Sequence, residues 1–158
     1  MRAHSVERIV VDVEPNKTIV RAFVEAINRR DWNRIDQLVS ADFTRHSDAA
    51  GEPEIRSRAE LKSFLRRELD AFPDAHESLE DLLADGNKVA ARHRFEGTQR
   101  GRLGPYPATG NRMIGRYIAI YRVEEGCIAE AWAEWDTLSG LIQLGHFKPA
   151  NNGIEPAR

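Results

Sequence analysis

The apolar positions of the chain fall into two regimes. Up to Phe72 they recur at helical spacing. Val20, Phe23, Val24 and Ile27 stand at i, i+3, i+4 and i+7, which predicts a first helix opening at Pro15-Asn16 and closing at Arg29-Arg30. Asp31 is placed to cap a short second helix with Trp32, Ile35, Leu38 and Val39. The run Ala41 to His46 follows, with Phe43 expected inside, and leads into a polar loop from Ser47 to Arg56. Ser57-Arg58-Ala59-Glu60 has the form of a capping box. It predicts a third helix with Leu61, Phe64, Leu65 and Leu69 on one face, ended by Phe72-Pro73-Asp74.

Beyond Phe72 the period becomes two. His76 to Ala84 runs to Asp85-Gly86, a hairpin turn signal, and Lys88 to Thr98 is the next strand. Val89, Ala91, His93 and Phe95 share one face of it, and Arg92, Arg94 and Glu96 share the other. Gln99 to Gly110 is a Gly/Pro-rich loop of a length suited to a lid over a sheet end. Arg112 to Val123 is a long strand, and Cys127 to Asp136 alternates again. Leu138, Leu141, Ile142 and Leu144 predict a last helix, stopped by Gly145. Helices followed by an antiparallel meander of four strands define an α+β class. The expected layout is an N-terminal arm at 1–14, with Ile9 to Val13 able to add an edge strand, an α+β domain at 15–146 and a flexible tail at 147–158.

Composition narrows the function. A chain of 158 residues suits one domain with a core of its own. Charged residues make up 30% and almost cancel, for a net charge of −2, so there is no electrostatic case for nucleic acid or an anionic membrane. One cysteine, Cys127, excludes an internal disulfide and fits the cytoplasm. No apolar run approaches the ~18 residues of a membrane span. His46, His76 and His93 lack metal-ligand spacing, so no metal is expected.

The candidate chemistry centres on Asp136, at the junction of the last strand and last helix. It reads either as a helix cap or as an acid/base at a pocket mouth. His46 reads as an exposed loop residue or as an acid/base. His93 reads as a buried, hydrogen-bonded histidine or as a site residue. A two-residue Glu125-Gly126 turn would put Tyr117 and Tyr121 on one face with Trp132, Glu134 and Asp136; a three-residue loop would put Ile118 and Ile120 there instead. The two-residue turn is the commoner form. Burial beside Trp132 and near Glu134 would then raise the pKa of Asp136. Tyr117, Tyr121, His46, His93 and Gln99 are the available donors for an enolate.

Several short motifs occur in order. They are Asn28 with Asp31-Trp32; Asp42-Phe43 with His46; Ala71 to Asp74; Asp85 to Val89 with Arg92; Gly97-Thr98 and Gly101; Pro107 to Gly110; Gly126 to Glu130 with Trp132 and Asp136; and Gln143 to Gly145. In these the chain resembles the SnoaL-like polyketide cyclase family, within the nuclear-transport-factor-two-like superfamily, over roughly Asn16 to Gly145. The resemblance implies a cone-shaped fold, with N-terminal helices packed on a curved, mainly antiparallel sheet around a pocket. It implies ring closure by intramolecular aldol condensation on a polyketide ester, without metal or cofactor. Asp136 would be the acid/base, and His46 matches a histidine frequent in the family. The substrate would be a small hydrophobic or aromatic molecule, held by His93, Gln99, Tyr117, Tyr121, Trp132 and Glu134. Relatives commonly pair as homodimers through the outer sheet face. One departure is Gly97-Thr98-Gln99 where the family commonly has Gly-Thr-His; glutamine can bond a carbonyl but cannot shuttle a proton. The alternative is a non-catalytic small-molecule-binding module of the same fold.

Overall fold

The computed structural model describes residues 12–48 and 54–149. Most of the expected arm and tail, and residues 49–53 of the polar loop, lie outside these. The elements run α1 (Glu14–Arg29), α2 (Trp32–Leu38), β1 (Val39–His46), α3 (Arg58–Ala71), β2 (His76–Asp85), β3 (Lys88–Thr98), β4 (Arg112–Glu124), β5 (Cys127–Trp135) and α4 (Thr137–Leu144). The caps act where the sequence places them. Asp31 accepts from the Arg34 amide at 2.9 Å and Ser57 from the Glu60 amide at 3.2 Å. Glu60 reaches back to the amide of Arg56, one residue beyond the usual reciprocal partner.

The sheet has five strands, in the order β1-β5-β4-β3-β2, so the expected four-stranded meander is one strand short. β1 lies parallel beside β5, and the other pairs are antiparallel. β1 escapes pattern reading because it follows α2 with no turn residue between. Its register also shifts between Val39 and Thr44, which breaks the alternation.

A second irregularity decides the site. The β4–β5 turn is the two-residue Glu125-Gly126, both residues at positive φ. Glu124 pairs with Cys127 and Val123 with Ile128, but Arg122 pairs with Glu130. Ala129 is therefore an extra residue, a β-bulge. Beyond it every side chain of β5 changes face relative to regular pairing. Tyr117 stands opposite Trp135, Ala119 opposite Ala133 and Tyr121 opposite Ala131, while Ile118 and Ile120 meet Glu134 and Trp132. The expectation that Trp132 and Glu134 share a face with the tyrosines is overturned.

The helices cover the face that Tyr117 and Tyr121 share. α1 packs on β2 and on α2, α3 on β1, and α4 on β4. Val20, Phe23, Ile27, Ile35, Leu38, Phe43 and Leu61 meet Val89, Tyr121 and Ile128 in one buried cluster. Phe72, Phe95 and Leu144 form a smaller one with Ala71. Ala119, Ala131 and Ala133 occupy inward positions in the two middle strands. Their methyl groups are too short to reach the helices, so the layers enclose a hollow.

Candidate active site

The hollow has a volume of about 180 Å³. That is slightly above the roughly 150 Å³ of a cavity that admits a benzene ring. Its wall is mainly apolar, with Phe23, Phe64, Phe95, Met113, Trp135 and Leu144 among the lining residues. Burying polar groups in such a wall is costly unless they are bonded, so those that occur need partners.

The inward end of β2 supplies them. Glu77 lines the cavity, and its side chain is 11% exposed. Its main chain is clamped by Asn28 of α1: the Asn28 amide donates to the Glu77 carbonyl at 2.7 Å, and the Glu77 N–H donates to Asn28 Oδ1 at 2.8 Å. On the Glu77 carboxylate, Oε1 lies 2.5 Å from His93 Nδ1 and also accepts from the Tyr117 hydroxyl. A carboxylate can only accept, so a proton at this contact belongs to Nδ1. Nε2 lies 3.1 Å from the Tyr121 hydroxyl. His93 is fully buried and stacks on Tyr117 with ring centroids 4.3 Å apart; Tyr117 stacks in turn on Trp135 at 3.9 Å. Burial, and next the Glu77 charge, push the pKa of both phenols far up, so they stay protonated donors. Arg45, buried at the end of β1 with its guanidinium over the Phe64 ring, brings a positive charge to the same wall.

Asp136 lies on the α4 side of the cavity. It is the N-cap of α4, with Oδ1 accepting from the Ser139 N–H at 3.0 Å. Hydrogen bonds from Ser139, side chain first and then main chain, hold its carboxyl below the usual range. This reverses the expected upward shift. Glu134, which would have repelled its charge, points to the other side of the sheet.

The SnoaL-like polyketide cyclase profile matches residues 17–144. The chain belongs to that family. It is 27% identical over 140 residues to aklanonic acid methyl ester cyclase DnrD of Streptomyces peucetius, covering 87% of this chain and 96% of that protein. It is likewise 27% identical over 146 residues to aklanonic acid methyl ester cyclase DauD of Streptomyces sp. strain C5, covering 91% and 90%. Among solved structures it is similar to TsrD from Streptomyces laurentii, with a TM-score of 0.76 and 27% identity over 87% of this chain and 100% of that one.

Against this family background the other residues singled out by sequence separate. His93, Tyr117 and Tyr121 come together as described. His46, the last residue of β1, pairs beside Trp132 on the outer face. Its ring stacks on Trp132, and its Nε2 lies 2.7 Å from Glu130 Oε1. Arg122 donates to the other Glu130 oxygen at 2.7 Å. The side chains of His46, Trp132 and Glu134 therefore lie across the sheet from the hollow. Gln99, where the family commonly has histidine, is fully buried but outside the cavity lining. Its amide donates to the Pro107 carbonyl at 3.0 Å, and its Oε1 accepts from Thr109 at 3.0 Å and from His146 at 2.9 Å. It pins the 99–110 loop to the chain beyond α4. Among the described residues no group of three or more His, Cys, Asp or Glu is arranged to hold a metal ion.

Sequence reading missed Glu77, Asn28 and Arg45 as site residues. A signal for Glu77 exists. Leu79 and Leu82 are both half-buried on the inner side although three apart, because the register of β2 shifts between Leu79 and Asp81. Glu77, two residues before Leu79, shares that inner face.

Proposed function

We propose that this member of the SnoaL-like family is a cofactor-free enzyme, cytoplasmic, carrying out aldol-type cyclisation or a related isomerisation on a small polyketide-like ester or ketone. The observation that carries the reading is the apolar hollow with ionisable groups confined to its wall. An α-proton of a β-keto ester is acidic enough for a carboxylate to remove once water is excluded. The enclosed space suits one ring with a short chain, the reacting end of such a molecule. Asp136, the carboxylate singled out by the family resemblance, serves as an acid/base on the α4 side.

The test is a panel of acetoacetyl-type and polyketide-like esters, with turnover followed for the native protein and Asp136→Asn. Asparagine caps about as well as aspartate, so the fold is kept. Turnover is expected to fall by roughly 10²–10⁴, the usual share of general acid–base catalysis. Full turnover in the variant would remove Asp136 from the chemistry. One observation favours a second reading, the binding module: Asp136 and Gln99 are both engaged in bonds that hold structure. A ligand bound equally by both forms, with no turnover anywhere in the panel, would establish that reading. The outer sheet face, with Ile118 at 58% exposure and Ile120 and Ile114 beside it, supports homodimer formation. Light scattering at micromolar concentration should give twice the chain mass of 17.9 kDa.

A further inference from the structure

We propose that Glu77 is a second catalytic carboxylate of this cavity, the one that removes the α-proton, with His93 and Tyr117 as its positioning residues. The inference rests on the reading that the cavity carries enolate chemistry, and it assigns the first step of that chemistry.

An intramolecular aldol reaction needs two proton transfers at different places: one off carbon, one onto oxygen. A single carboxylate fixed at a helix cap is poorly placed for both. Asp136 is committed to the start of α4, where its carboxylate accepts from the Ser139 N–H. Glu77 sits within the β-sheet wall among aromatic rings. Both of its side-chain contacts fall on Oε1, so Oε2 takes part in neither. The Asn28 clamp sets residue 77 through its main chain, and the Tyr117 hydroxyl and the His93 ring fix the carboxylate rotamer. A base held from three sides keeps the reacting geometry without reorganisation.

The step balances without a co-reactant. Glu77 Oε2 takes the proton from the carbon beside the carbonyl, and the C–H pair becomes the enolate. The enolate carbon attacks a second carbonyl of the same molecule, forming the C–C bond as the C=O pair moves to oxygen. That oxygen takes its proton from a water molecule, and the hydroxide left behind takes from the neutral Glu77 the proton it removed, which restores the carboxylate. The nearby Arg45 charge favours the anion while it lasts.

The first step can be read without a cyclising substrate. In D₂O, the native protein should speed α-hydrogen exchange in small aryl ketones and acetoacetyl esters, followed by proton NMR. Glu77→Gln can keep both contacts at its amide oxygen, and a retained melting transition checks the fold. Its exchange rate is expected to drop by roughly 10²–10⁴. Glu77→Ala should lose exchange likewise and recover part of it when formate is added, which a purely structural role would not produce. Should Glu77→Gln fail to fold, Glu77→Asp withdraws the carboxylate by one carbon and should still slow exchange about tenfold or more. Native exchange left untouched by Glu77→Gln or Glu77→Asp would overturn the assignment while leaving the enzymatic reading intact. Probe ketones that bind the native protein with no exchange would overturn both.

Discussion

The two faces of the same sheet treat charge in opposite ways. On the inner face the titratable groups are few, and Glu77, His93, Tyr117 and Tyr121 are tied into one chain of contacts. The outer face carries a ladder: Glu96 meets Arg94 and Arg112, Glu80 meets Arg92 and Arg116, and Glu130 meets Arg122 and His46. Those pairs have water as an alternative partner, so each adds little to stability. The inner groups do not, and their arrangement is fixed by need. Polarity alone therefore does not mark a site; the same residue types are scaffolding or chemistry according to face.

The bulge at Ala129 sets which residues of β5 face inward, so a charge placed on that inner face should have the largest effect. Ala133→Glu would bury a carboxylate in the apolar wall, whereas neighbouring Glu134 already carries one on the exposed side. The expected result is loss of the cooperative melting transition, seen by circular dichroism; a variant melting as the native protein does would break the comparison.

A pair of isoleucines sharpens it. Ile128 is fully buried on the inner side of β5, and Ile118 on neighbouring β4 points out. Ile128→Ala should cost about 2–5 kcal/mol, a fall of roughly 5–15 °C in Tm for a domain of this size. Ile118→Ala should stay within about 0.5 kcal/mol when the denaturant titration is run dilute enough to separate the proposed homodimer. Equal effects there would mean that this face is packed within the single chain.

The smallest effect is electrostatic. Hydrogen bonds from Arg122 and then His46 hold the Glu130 carboxyl below its ordinary value. The unfolded chain thus takes up that proton first as the pH falls. The contribution is complete above the ordinary carboxylate value and is lost as the pH drops through the folded one. Glu130→Gln should flatten the decline of Tm between about pH 5 and pH 3, by the equivalent of about 1 kcal/mol or less. An unchanged slope would show that the outer ladder is energetically silent even at Glu130.

The helices were legible because their signals are local. The stripe of α1, the cap at Asp31 and the box at Ser57 act within a few residues and stand where they were read. His93, Tyr117 and Tyr121 were legible as an inward set because β3 and β4 alternate without interruption. Trp132 and Glu134 were misplaced, and His46 could be given no face, for one shared reason. Their face depends on pairing: Ala129 bulges only relative to β4, and β1 is a strand only because β5 lies beside it. No window of sequence contains both partners. Asp136 was legible as a cap and as a cavity residue, but its electrostatics were not, since they depend on where Glu134 points.

The Asn28 clamp bears on how anything enters the hollow. Two hydrogen bonds to one residue's main chain, made from the last turns of α1, form a joint that neither slides nor pivots easily. α1 and β2 should move as one rigid plate, and the carboxylate of Glu77 travels with it. Any breathing that admits a molecule of ring size is left to the rest of the wall, where α3 and α4 meet the hollow through side chains such as Phe64, Leu65, Leu141 and Leu144. The molecule thus resembles a vice with one fixed jaw, and that jaw carries Glu77.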